Sequence, residues 1–147
     1  VTKAEVIRII EQRIGQAIGQ IGCDSPGYLD EFLLEYVKTS NFLLESLGAE
    51  TGVTVDPAAE TITPDPSDVI GLLLAYQSAA TLIGDDLITR LKSGELGLSF
   101  STGVTDISTN QAAITLRTSA NKLISDYELL LTAYFAGDPN TVVERLT

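Results

Sequence analysis

Apolar residues recur every three or four positions along most of this chain, and that period predicts helices. Thr2 with Glu5 three residues later forms a capping box, and Val6, Ile10, Ile14, Ala17 and Ile21 then make one stripe that Gly22 closes. This predicts a first helix over residues 2–21. In "CDSPG", Asp24 or Ser25 serves as N-cap with Pro26 at the first helical position, and Leu29, Phe32, Leu33, Tyr36, Val37 and Leu44 follow at helical spacing. The second helix is predicted over 26–47. A third runs over 66–93, capped by Asp65 with Pro66 first; its stripe includes Val69, Leu73, Tyr76, Ala80, Ile83 and Leu87. A fourth, capped by Thr109 or Asn110, extends to about Ala136 on Leu116, Ala120, Leu123, Tyr127, Leu130 and Tyr134.

Two intervals break the helical period. Around Pro57, Val53 and Val55 alternate with Thr54 while Thr61, Ile62 and Thr63 lie beyond, which predicts two short strands in a loose hairpin. In "GELGLSFSTGVTDIST", residues 94–109, Leu96, Leu98 and Phe100 share one face of a strand opposite Gly97, Ser99 and Ser101. A return arm over 104–107, with Val104 and Ile107, completes a second hairpin at about 94–108 after the turn at Thr102 and Gly103. The expected fold class is therefore mainly α: a four-helix bundle-like domain over 1–136, this hairpin between its last two long helices, and a short C-terminal tail over 137–147 holding one helical turn.

An isolated two-stranded hairpin is marginal in water, and its open edges invite another chain. The 94–108 ribbon either pairs with residues 53–55 or 61–63 of its own subunit, or meets an adjacent copy. The second is the expectation here, because the third and fourth helices carry apolar residues beyond one narrow stripe. Leu96, Leu98, Phe100, Val104 and Ile107 are then the intersubunit contacts.

Composition removes most chemistry. The chain has 147 residues, no histidine, one cysteine and a net charge of -11 from 20 acidic and nine basic residues. Without imidazole there is no general base of the usual kind near neutral pH, no Glu-x-x-His di-iron pair and no Ser-His arrangement. Asp85 and Asp86 are adjacent and point about 100° apart on a helix, and Asp138, Asn140 and Glu144 lack the pattern of a calcium loop. No GxGxxG or Lys-Ser/Thr phosphate loop occurs. The expectation is a protein that is not an enzyme, with no catalytic residue, no metal and no cofactor. Cys23 reads as a small buried apolar residue in a chain assembled in a reducing compartment. Acids among the first apolar positions do not suit a signal peptide, and no apolar run approaches a membrane span, so no membrane partner is expected. The scattered basic residues draw no phosphate-tracking stripe, so DNA is not bound specifically.

The order of these features resembles the head-to-tail connector, or adaptor, proteins of tailed bacteriophages. The resemblance rests on "TITPDPSDVIGLLLAYQSAATLI" (61–83), "SGELGLSFSTGVTDIST" (93–109) and "LRTSANKLISDYELLLTAYFAG" (116–137). It implies a structural virion protein forming a homo-oligomeric ring, commonly a dodecamer, at the phage neck after assembly in the host cytoplasm. Its partners are then the portal protein above and a tail-side neck or tail-terminator protein below, with DNA passing through the channel. The tail is implied to dock into the portal through Val142, Val143, Arg145 and Leu146. An acidic lining would repel phosphates and keep DNA mobile. The other reading of the same composition is a small acidic helical binding or regulatory module with an apolar ligand cavity lined by Tyr76, Tyr127 and Tyr134.

Overall fold

The computed structural model describes residues 1–23, 27–94 and 103–147, with the side chains of 103–110 outside the description. Within these residues the chain is mainly helical with one small antiparallel hairpin. The helices are α1 (Lys3–Gln20), α2 (Asp30–Ser46), α3 (Asp68–Thr81), α4 (Ile88–Lys92), α5 (Gly103–Ala136) and α6 (Asn140–Leu146). A π-helical stretch, Leu82–Leu87, joins α3 to α4 without a break. The strands are β1 (Thr54–Asp56) and β2 (Thr61–Thr63).

The first helix starts as its sequence dictates. The Thr2 hydroxyl accepts from the Glu5 N–H at 3.3 Å, and the Glu5 carboxylate accepts from the Thr2 N–H at 3.3 Å. The third helix starts later than expected. Ser67, not Asp65, is its N-cap, accepting from the Ile70 N–H at 3.3 Å, because the helix begins at Asp68 and the cap is the residue immediately before it. The second helix also starts late: residues 27–29 are not helical, and the N-cap, Leu29, has no side-chain acceptor. Asp24, Ser25 and Pro26, the expected cap, lie outside the described residues.

All of α3 is core. Ten of its 14 residues are buried, on every side of the helix, so it needs neighbours all around. Those neighbours are chiefly α5, then α1 and α2, with α6 closing one end. Leu73, Leu74 and Ala75 are fully inaccessible, as are Leu33 and Leu34 on α2 and Leu116 and Leu130 on α5. Gly71 marks a close approach: a methyl group there would sit 2.5 Å from Val1 Cγ2, so the first side chain packs into a notch only glycine leaves open.

The hairpin over 54–63 forms as predicted, in the register Thr54↔Thr63, Val55↔Ile62 and Asp56↔Thr61. Val55 and Ile62 face inward while their neighbours face solvent, the period-two pattern of a sheet with one wet face. Asn41 of α2 anchors it, donating from Nδ2 to the Val53 carbonyl at 3.2 Å.

The expected second hairpin needs correction. Val104 and Ile107 belong to helical backbone, since α5 begins at Gly103 and not at Thr109 or Asn110. The spacing explains this: residues three apart fall on opposite faces of a strand but on one face of a helix. Leu96, Leu98 and Phe100 lie outside the described residues. The only sheet among the described residues is β1 with β2.

Burial ranks the side chains for mutation. Leu74→Ala is expected to cost about 2–5 kcal/mol in urea unfolding of the isolated chain, whereas Phe42→Ser, at a side chain 68% exposed, is expected to change it by at most about 0.5 kcal/mol. A large loss with Phe42→Ser would mean that this side chain is covered in solution.

Candidate functional site

The cover over α3 is incomplete at Gln77, which is half-buried, and Thr81, which is exposed. Between α2 and α5 the floor of a groove is formed by Gln77 and Thr81, one helical turn apart. On the α2 side, Tyr36, Thr39 and Leu43 wall a cavity of about 220 Å³. On the α5 side, Gly84, Asp85, Arg117, Ile124 and Tyr127 line a larger one of about 360 Å³. Gln77 bridges the two: its Oε1 accepts from Ser40 Oγ on α2 at 2.7 Å, which turns its amide nitrogen away from α2.

The π-helical stretch shapes this region. Wider i→i+5 turns occur mostly as short insertions within α-helices. Here the insertion separates the two adjacent aspartates. Asp86 accepts from Arg90 Nε at 2.6 Å, and the Arg90 guanidinium lies over the rings of Tyr28 and Phe32 at 5.5 and 5.7 Å. Asp85 is exposed and lines the α5 groove instead. Neither arrangement brings two carboxylates onto one reacting atom. Among the described residues, no group of three His, Cys, Asp or Glu side chains is placed to hold a metal ion.

Tyr127 is the unusual residue. It is 7% exposed, and its buried hydroxyl has no hydrogen-bond partner among the described residues. Burial pushes its pKa above the ordinary tyrosine value, so the phenol is neutral at pH 7 and is a donor in want of an acceptor. Tyr36 is also raised, first by burial and then by Asp86, with Arg90 opposing. The other tyrosines expected to line a ligand cavity lie elsewhere. Tyr76 is a core residue whose hydroxyl donates to the Leu146 carbonyl at 3.3 Å and accepts from Arg13 at 3.0 Å. Tyr134 packs edge-on to Phe135. The orphaned hydroxyl had no sequence signal, because Tyr127 sits on the core stripe of its helix.

The tail forms α6 and folds back on its own domain. Val142 is buried, Val143 and Leu146 are half-buried against the core, and Arg145 is exposed. The Arg13 guanidinium stacks over the Tyr76 ring at 5.2 Å, so the residue that receives α6 is itself braced from α1. Cys23 is half-buried against the core.

Large apolar side chains stay uncovered on both helices flanking α3. On α2 these are Phe42 at 68% and Leu47 at 57% exposure; on α5 they include Ile114, Ile124 and Phe135. No helix among the described residues is long and apolar enough to cross a membrane. Comparison with protein-family models, with curated proteins and with solved structures finds no match to this chain.

The orphaned phenol makes two measurable predictions. Tyr127→Phe removes an unsatisfied buried group and is expected to raise unfolding stability by about 1 kcal/mol. It also alters the alkaline limb. A phenol whose folded pKa is raised above the unfolded value of 10.0 leaves stability untouched below pH 10 and drains it as pH climbs through the folded pKa. Wild-type stability is therefore expected to fall above pH 10, and less steeply in Tyr127→Phe; equal slopes in denaturant titrations would refute the assignment.

Proposed function

We propose that this chain is a non-enzymatic structural protein of the phage head-to-tail connector type, working as a ring between portal and tail. The observation that carries the reading is the uncovered apolar surface on two different helices, α2 and α5, beside a core of 34 buried apolar residues among those described. A head-to-tail ring needs two distinct faces that complement each other, and these helices flank α3 to supply them. The finer architecture belongs to the same proposal: a four-helix bundle-like body of α1, α2, α3 with its continuation, and α5.

In this reading the Leu96, Leu98 and Phe100 face of one copy packs on the next, and twelve copies close the ring at the virion neck. The portal protein receives the tail. Arg145 is exposed for that contact, while Val142 would have to leave its own core to take part. A tail-side neck or tail-terminator protein takes the opposite end. The net charge of -11 opposes phosphate binding, so DNA would move through the channel without adhering.

The groove beside Tyr127 favours a second reading, a small acidic binding or regulatory module that holds a ligand between its helices. Oligomeric state separates the two. Negative-stain images of the chain beside portal rings are expected to show an added ring of density. Leu98→Asp with Phe100→Asp is expected to leave circular dichroism unchanged and abolish that density. A chain that ignores the portal and stays monomeric overturns the connector reading.

A further inference from the structure

The α3–α5 groove has the length and the polar pattern of a receptor for extended main chain. Arg117 and Glu128 mark its ends on α5, eleven residues apart, or about 16 Å at 1.5 Å per residue. Five extended residues span the same distance at about 3.3 Å each. Ala80, Ala120 and Ile124 give it an apolar bed, and the Tyr127 side chain lines its far end with the hydroxyl buried beneath. The groove's one cation, Arg117, has no carboxylate partner among the described residues.

We infer that this groove receives residues 95–100 of a second copy of the chain. "ELGLSF" places Glu95 directly ahead of the five-residue alternating run Leu96 to Phe100. Laid with Glu95 on Arg117, the run ends beside Tyr127 and Gln77. Its apolar face meets the bed, and no charged side chain of the run enters the interior of the groove. The run cannot occupy the groove of its own subunit. Phe100 is three residues from Gly103, at most about 11 Å, and Gly103 is fourteen residues, about 21 Å, from Arg117 along α5. This assignment rests on the ring reading for its biological role, but its chemistry is separable.

A dye-labelled peptide with the sequence of residues 94–103, titrated with the whole chain and followed by anisotropy, tests it. Saturable binding is expected, weakened about tenfold by Arg117→Glu and recovered when the peptide carries Glu95→Arg. Arg117 is exposed, so the variant is expected to keep its fold, which circular dichroism checks. No binding, or equal binding by wild type and Arg117→Glu, overturns the inference. The peptide assay needs no ring. A chain that captures the peptide but never assembles beside portal keeps the groove and removes the connector reading. Rings that form unimpaired with Arg117→Glu keep the connector and remove the groove.

Discussion

The burial of α3 on all sides is the constraint from which the rest of the arrangement follows. A helix whose residues from Ile70 to Ala80 are almost all inaccessible keeps only a narrow strip at Gln77 and Thr81 open, so each neighbouring element is placed by the need to cover the rest. Removing apolar area from water is worth roughly 25 cal/mol per Å², and a side chain such as Leu73 or Leu74 recovers that only if several helices contribute to its cage. The two chain ends serve the same purpose. Val1 fills the notch at Gly71, and α6 lays its Leu146 carbonyl on the Tyr76 hydroxyl.

Covering α3 uses up the apolar face of α1, while the hairpin turns Val55 and Ile62 inward beside α2. It does not use up those of α2 and α5. Each of these helices turns one face to α3 and retains large apolar groups on another. Scattered apolar residues on a surface are ordinary. Leu43 and Leu47, four positions apart at the end of α2, fall on one face and make a patch. The electrostatics are simpler. A strongly acidic surface repels like copies in dilute solution, and salt screens that repulsion.

Much of this was written in the pattern of residues. The Thr2–Glu5 box, the stripes of α1 to α3 and the alternation around Val55 and Ile62 are local signals, and local signals survive folding. What escaped prediction depends on distant partners. Ser67 rather than Asp65 caps α3, and α2 begins only at Asp30. Val104 and Ile107 read as a strand only when their neighbours' alternation was extended past its end; their own spacing is helical. The orphaned Tyr127 hydroxyl was invisible because it arises from what α3 fails to place opposite it. The π-helical stretch left no clear mark either, since the apolar residues Ile83 and Leu87 keep helical spacing through it.

That stretch has a consequence for how the gene can vary. An α-helix advances about 100° per residue, and the wider turn at Leu82–Leu87 absorbs surplus backbone before α4 resumes. Shortening this turn by a single codon would yield a regular helix, yet swing α4 by more than a quarter turn. Arg90 would then lose its place over the aromatic rings, and Leu91 would be carried off the core. An exchange at exposed Asp85 is tolerable here in a way that a deletion is not.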